Sequence, residues 1–213
     1  MTTPPPPITG PPASAASAGG HAPAFRGRRI LVGLTGGIAA YKTAMVVSRL
    51  SQAGAEVTVA MTEGATRFIT PLTLQALSGR PVYTGVWEHI ESQDPQHIAL
   101  ATRADLAIVA PCSMDCLARL ATGRADDVVT LILAAVDRRR TPVLLAPAMN
   151  SVMWSQPATQ RNLGTLREDG FQFVGPDEGW QACRTVGVGR MAEPEAILAR
   201  ASALLASPVS SRP

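Results

Sequence analysis

Cys183, His97 and Asn150 are side chains able to move a proton or hold a carboxylate. A thiol with an ordinary pKa of about 8.5 stays mostly protonated at neutral pH and can act as an acid. An imidazole with an ordinary pKa of about 6.5 can give or take a proton near neutrality. An asparagine amide offers donors to a carboxylate without repelling it, as an aspartate would. Each also has a plainer explanation. Most free cysteines are small buried hydrophobes. A lone histidine shortly after Asp94-Pro95, where a helix starts, is more often a solvated or capping group. An asparagine that follows a strand is equally suited to capping the next helix. His89 is near His97 in sequence but lacks this context.

A fourth feature is the segment Thr35-Gly36-Gly37-Ile38-Ala39-Ala40-Tyr41-Lys42, with small residues where an apolar run passes into helical spacing. Backbone N–H groups and the start of a helix can face a phosphate at such a turn. The run from Gly36 to Lys42-Thr43 nearly has the P-loop spacing, but Tyr41 stands where the second glycine belongs, so a triphosphate is disfavoured. Nor is it G-x-G-x-x-G, and the next apolar run ends at Met61-Thr62 with no acid at its tip, although Glu63 is adjacent. A tight turn with no ligand remains an alternative from this segment alone.

These residues need elements to position them. Ile30 to Leu34 reads as a strand, Ile38 to Ala53 as a helix closed by Gly54, and Val57 to Met61 as a second strand, which together make a right-handed βαβ unit. Further strands are expected at Leu106–Ala110, Val143–Ala146 and Phe171–Val174. Helices are expected at Met114–Ala121, Asp127–Ala135, Pro157–Asp169 and Glu195–Leu205. Continuous apolar strands alternating with helices imply a parallel sheet covered on both faces, a doubly wound, Rossmann-like α/β domain. Ligands in such sheets bind beyond the carboxyl ends of the strands. The segments that follow the strands are Thr35-Gly36-Gly37, Thr62, Pro111-Cys112-Ser113 and Pro147-Ala148-Met149-Asn150.

Composition excludes several classes. With 213 residues and 46% hydrophobic content the chain can bury one core, and residues 29–206 are read as a single domain. Residues 1–28, rich in Pro, Ala, Ser and Gly, read as a disordered tail, with a transit peptide the lesser alternative, and 207–213 as a short flexible end. The formal charge of +3 comes from scattered arginines, with one run at Arg138-Arg139-Arg140, and aromatics are few, so no nucleic-acid surface is expected. No apolar run reaches the length of a membrane span. Three cysteines, at 112, 116 and 183, make no complete disulfide set, and 112 and 116 lack C-x-x-C spacing. Reduced thiols in a cytoplasmic protein fit best.

Four segments taken in order, T-G-G-I-A-A-Y-K (35–42), P-L-T-L-Q-A-L-S-G (71–79), A-P-A-M-N-S-V-M-W (146–154) and A-C-R-T-V-G-V-G-R-M (182–191), resemble motifs of the homo-oligomeric flavin-containing cysteine decarboxylases. H-I-A-L-A (97–101) is a fifth match, and the likeness spans nearly all of 30–197. Within that family the resemblance is greatest to members that serve coenzyme A synthesis. It implies decarboxylation of 4′-phosphopantothenoylcysteine to 4′-phosphopantetheine with FMN as cofactor. The synthetase domain that often follows in bacteria is expected to be absent, because the chain stops soon after its closing helix.

By the same resemblance, the FMN phosphate would lie on Gly36, Gly37 and Ile38. Thr62 and Ser113 would add hydroxyl contacts, Ala148 would back the ring, and Ser113, Met114, Asp115 and Cys116 would line it. His97 would do acid/base work, Asn150 would hold the substrate carboxylate, and Cys183 on a covering flap would protonate the ene-thiol formed after CO2 leaves a thioaldehyde. Two departures stand out. Pro111-Cys112-Ser113-Met114-Asp115-Cys116 replaces a segment like P-A-T-A-N-T, and Asp115 would place a charge beside the flavin. Arg184 stands where glycine usually follows the cysteine, and Arg184 or Arg190 is a candidate to meet a substrate phosphate. Cys112-Ser113-Met114 resembles flavin prenyltransferases, which makes them a rival. Peptidyl-cysteine decarboxylases of lantibiotic type and non-catalytic flavoprotein subunits are others. A trimer, or assemblies of trimers, with active sites between subunits is implied.

Overall fold

Ile30, Val32 and Leu34 of the first strand are buried in one apolar cluster and Leu31 in another, so the strand is covered on both sides. The same alternation holds for Leu106, Ile108 and Ala110 against Ala107 and Val109, and for Leu144 and Ala146 against Val143 and Leu145. Strands of this kind need helices on both faces. A computed structural model describes residues 22–87 and 95–207.

In chain order the elements are α1 (Ala22–Phe25), β1 (Arg29–Leu34), α2 (Ala40–Gln52), β2 (Glu56–Met61), α3 (Glu63–Thr66) and α4 (Pro71–Ser78). There follow β3 (Val82–Tyr83), α5 (Gln96–Arg103), β4 (Leu106–Cys112), α6 (Met114–Ala121), α7 (Val128–Ala134) and β5 (Val143–Pro147). The chain goes on through α8 (Ser151–Ser155), α9 (Pro157–Glu168), β6 (Gln172–Phe173), β7 (Asp177–Trp180), β8 (Val186–Arg190) and α10 (Pro194–Ala206).

The main sheet is parallel and ordered β3-β2-β1-β4-β5-β6. Val46, Val47 and Leu50 of α2 and Ile197 and Leu198 of α10 cover one face. Leu117 of α6, Val129 and Ile132 of α7 and Leu163 and Leu166 of α9 cover the other. Strand order reverses between β1 and β4, the place where a doubly wound sheet opens a crevice at its carboxyl edge. The expected doubly wound domain is therefore what the chain forms.

Several elements differ from the sequence expectation. The two-residue edge strand β3 is too short to show a period, and α3, α4 and α8 are brief helices between longer elements. The glycine-rich stretch after Cys183, for which no strand was expected, forms an antiparallel hairpin, β7 with β8. The tail boundary at residue 28 also moves. Phe25 is 1% exposed within the core, and Gly27 N–H and Glu56 N–H bond to Gly54 and Arg28 carbonyls at 2.8 Å, so residues 22–28 are part of the fold. Their low hydrophobicity hides one buried aromatic. The rest of the expected tail, residues 1–21, lies outside the described residues, as do 208–213 and His89.

Candidate active site

Thr35 joins the two strand ends at the crevice. Its hydroxyl donates to the Pro111 carbonyl at 2.7 Å and accepts from Ser113 N–H at 2.9 Å. This fixes the glycine turn after β1 against the start of α6. Gly36 is needed for a close approach: a Cβ there would lie 3.2 Å from the backbone carbon of Gly64 in α3. Among the described residues, the N–H groups of Gly36, Gly37 and Ile38 donate to no acceptor, since the first turn bond runs from Ala40 N–H to the Gly37 carbonyl. Three free donors at the entry to a helix suit one phosphate.

Two hydroxyls flank the turn. Thr62 caps α3 by accepting from Ala65 N–H at 3.3 Å, and Ser113 caps α6 by accepting from Cys116 N–H at 3.2 Å. A capping hydroxyl still has its own proton to donate. Lys42, the residue that matched the P-loop lysine, is turned away. Its buried ammonium donates to Glu193 Oε1 at 3.0 Å and to the Met191 carbonyl at 3.4 Å. That contact gives a second reason against a triphosphate, and it holds α2 to the chain leaving β8.

The segment 113–116 divides between surface and core. Met114 is half-buried at the first position of α6. Asp115 is exposed, and its carboxylate accepts from Arg119 Nε at 2.7 Å one turn on, so the charge is paired along the helix surface. The charge that Asp115 brings is therefore offset by a guanidinium on the same helix. Cys116 is buried, and the hydrogen bond to Cys112 followed by burial holds its thiol well above the usual range and therefore protonated. Ala148 is half-buried beyond β5, tied to β4 by its N–H on the Cys112 carbonyl at 3.0 Å.

Asn150 and Cys183, far apart in sequence, meet. Asn150 is the N-cap of α8, with Oδ1 accepting from Val152 N–H at 2.8 Å. That bond fixes which way the amide faces, leaving Nδ2 to donate to Cys183 Sγ at 3.0 Å. One side chain therefore both caps α8 and bonds the sulfur. The second Nδ2 proton is free for a carboxylate. Cys183 is exposed near the tip of the hairpin, with Thr185 Oγ1 at 3.0 Å and Gln181 Oε1 at 3.6 Å from its sulfur. Hydrogen bonds from Thr185 and then Asn150 lower its pKa, making the thiol a stronger acid.

The hairpin is held by glycine and glutamine. Gly189 has φ +143°, and a Cβ there would stand 2.3 Å from the Met149 carbonyl oxygen, so only glycine lets β8 dock beside Asn150. Met149 N–H bonds to the Gly189 carbonyl at 2.9 Å. Gln181, 7% exposed, accepts from Ser151 N–H and donates to the Gly187 carbonyl, both at 3.2 Å. Arg184 has φ +65° at the turn, which accounts for the glycine usual there. Arg190 is committed to Glu193, whereas Arg184 has no side-chain partner among the described residues.

His97 is not hydrogen-bonded to this pair. It is the second residue of α5 and half-buried. Because α5 runs back toward the start of β4, His97 sits at the carboxyl-edge end of its helix. A cavity of about 620 Å³ beside Arg26, Arg28 and Asp105 is at the opposite end and is lined by none of these residues. Sequence reasoning missed Gly64, Gln181 and Thr185. Gln181 and Thr185, each two residues from Cys183, had a local signal in their spacing, and Gly64 had none.

Residues 21–205 match the Flavoprotein family. The coenzyme A biosynthesis bifunctional proteins CoaBC of Vibrio vulnificus (strain YJ016) and Bacillus subtilis (strain 168) are each 47% identical, over 173 and 171 residues, 81% and 80% of this chain. The chain spans only 42% and 41% of their lengths. A solved PPC decarboxylase variant complexed with pantothenoylaminoethenethiol superposes with a TM-score of 0.76 at 31% identity, covering 85% of this chain and all 100% of that one. The FMN-dependent cysteine decarboxylase SpaF gives a TM-score of 0.73 at 30% identity, covering 86% and 99%. The match over most of its length, and the same fold in these structures, make this chain a member of the Flavoprotein family.

Proposed function

We propose that this chain is an FMN-dependent carboxy-lyase that converts 4′-phosphopantothenoylcysteine to 4′-phosphopantetheine in coenzyme A biosynthesis. One observation carries the assignment: a carboxylate-compatible amide, Asn150, held 3.0 Å from an acidic thiol, Cys183, at the carboxyl edge of the sheet. The relatives' names support the pathway, and the PPC decarboxylase and SpaF structures support the chemistry and the cofactor.

The free N–H groups of Gly36, Gly37 and Ile38, with the Thr62 and Ser113 hydroxyls, would hold the FMN phosphate. Ala148 and Met114 would sit by the ring. When bound, the flavin supplies reversible hydride acceptance, which the protein's own side chains cannot provide. Asn150 holds the substrate carboxylate through its second amide proton. Cys183 gives its proton to the ene-thiol that remains once CO2 has left. His97 serves as the acid/base group from a neighbouring copy, which agrees with its making no hydrogen bond to Cys183 within one chain. Exposed Ile38, Tyr41 and Met45 near the glycine turn, and Phe68 and Leu72 near α4, are apolar surface for such copies to cover, as in a homotrimer or assemblies of trimers. No described helix is long and apolar enough to cross a membrane, which suits a cytoplasmic enzyme.

A flavin prenyltransferase is less favoured, because its chemistry has no use for a thiol paired with an amide. Incubating the purified protein with 4′-phosphopantothenoylcysteine and identifying products by mass spectrometry tests the proposal. Loss of CO2 to give 4′-phosphopantetheine, with FMN released on denaturation, is expected. A colourless protein that cannot be reconstituted with FMN overturns it.

A further inference from the structure

Thr185 is brought back beside Cys183 by a tight turn. Arg184 N–H bonds to the Gln181 carbonyl and Gln181 N–H to the Thr185 carbonyl, both at 2.9 Å, with Arg184 at φ +65°. The sulfur then sits among three polar atoms of different kinds. Asn150 Nδ2 can only donate to it, at 3.0 Å. Gln181 Oε1 can only accept, at 3.6 Å, and Gln181 is otherwise committed to Ser151 and Gly187. Thr185 Oγ1, at 3.0 Å, can do either.

We propose that Thr185 is a positioning residue for proton donation, its hydroxyl holding the Cys183 thiol and turning its O–H onto the sulfur as the proton leaves. This rests on the reading of Cys183 as the proton donor. In the step, the S–H bond breaks, the proton goes to carbon of the substrate ene-thiol, and the electron pair stays on sulfur as thiolate; the hydride that completes the saturated thiol would be returned by FMN, which would have taken it up in the earlier oxidation. Solvent returns a proton after product release. Hydrogen bonds from Thr185 and Asn150 then both point at an anion, and such charge-assisted bonds are stronger than neutral ones. The lowered thiol pKa, with Thr185 as its largest cause, agrees. The charged group on the same turn is Arg184, which is exposed; along the hairpin strands Glu178 lies opposite Val188 and Asp177 opposite Arg190, with Arg190 paired to Glu193.

The test uses the FMN-loaded protein and iodoacetamide. Cys112 and Cys116 are buried, so alkylation reports on exposed Cys183. In Thr185→Val the midpoint of the rate-against-pH profile should move up, because the thiolate loses a donor, and Thr185→Ser should restore it. With 4′-phosphopantothenoylcysteine, Thr185→Val should lower kcat roughly three- to tenfold, the worth of one hydrogen bond. KM should change less than twofold, and the oxidised product, two hydrogens lighter than 4′-phosphopantetheine, should accumulate. An unmoved midpoint in Thr185→Val, or no restoration by Thr185→Ser, overturns the proposal. A parent protein that releases no CO2 from the substrate would overturn the functional assignment instead, while the alkylation profile would still decide what Thr185 does to the sulfur.

Discussion

Replacing Gly189 with alanine should disable the enzyme without touching any group that handles substrate. The new Cβ would lie 2.3 Å from the Met149 carbonyl oxygen, and the residue would have to keep φ near +143°. Relief to ordinary contact needs a movement of about 1 Å or a change of backbone conformation, and holding the conformation costs about 1–3 kcal/mol. The 2.9 Å bond from Met149 N–H to the Gly189 carbonyl weakens at the same time, a further loss of about 1 kcal/mol. Met149 follows β5 closely and its neighbour Ala148 is anchored to β4 through the Cys112 carbonyl, so the hairpin gives way before the sheet. Cys183 is then carried out of reach of Asn150, now 3.0 Å away. A misplacement of about 1 Å at reacting groups can cost roughly 100-fold in rate. The assay is turnover of 4′-phosphopantothenoylcysteine alongside FMN content and thermal melting. Turnover should fall roughly 100-fold with FMN retained. Turnover within threefold of the parent would refute the claim that Gly189 docks the hairpin for catalysis.

Three further outcomes are expected. Cys183→Ser keeps a group that Asn150 and Thr185 can bond, but a hydroxyl is a far weaker acid. The variant should therefore release CO2 yet accumulate the oxidised product by mass spectrometry, and normal 4′-phosphopantetheine formation would show that the proton comes from elsewhere. His97→Asn should abolish turnover while leaving FMN bound; near-normal activity would leave His97 as a helix-start residue. Arg184→Gly should raise stability by about 1 kcal/mol, because the left-handed backbone at φ +65° disfavours any side chain, and a melting temperature that does not rise counts against this.

Much of this protein could be read from its residue order. Strands buried on both faces must be apolar at every position, and helices covering them must repeat their apolar residues near every third or fourth place, so β1, α2, β2, β4, α6, α7, β5, α9 and α10 were legible to within a residue or two. The glycine turn also showed itself, because a helix entered through small residues leaves N–H groups free. Short elements carry too few residues for a period, which is why β3, α3, α4 and α8 were not expected. The core membership of Phe25 was hidden in a polar, proline-rich stretch.

What the sequence by itself determined was local: which segments become strand, turn or helix, and which residues stand at strand ends. Only the tertiary structure decided which ends meet. The sheet order sets β4 beside β1, so Thr35 can join Pro111 and Ser113 across 76 and 78 residues. The direction of a charged side chain was likewise settled by its neighbours, with Asp115 turned to Arg119 and Lys42 to Glu193. Asn150 and Cys183 are 33 residues apart and meet because Gly189 allows a backbone contact that no Cβ would permit. Residue type specifies a side chain's chemistry and its own backbone's preferences, but a distance between two such groups depends on every element packed between them.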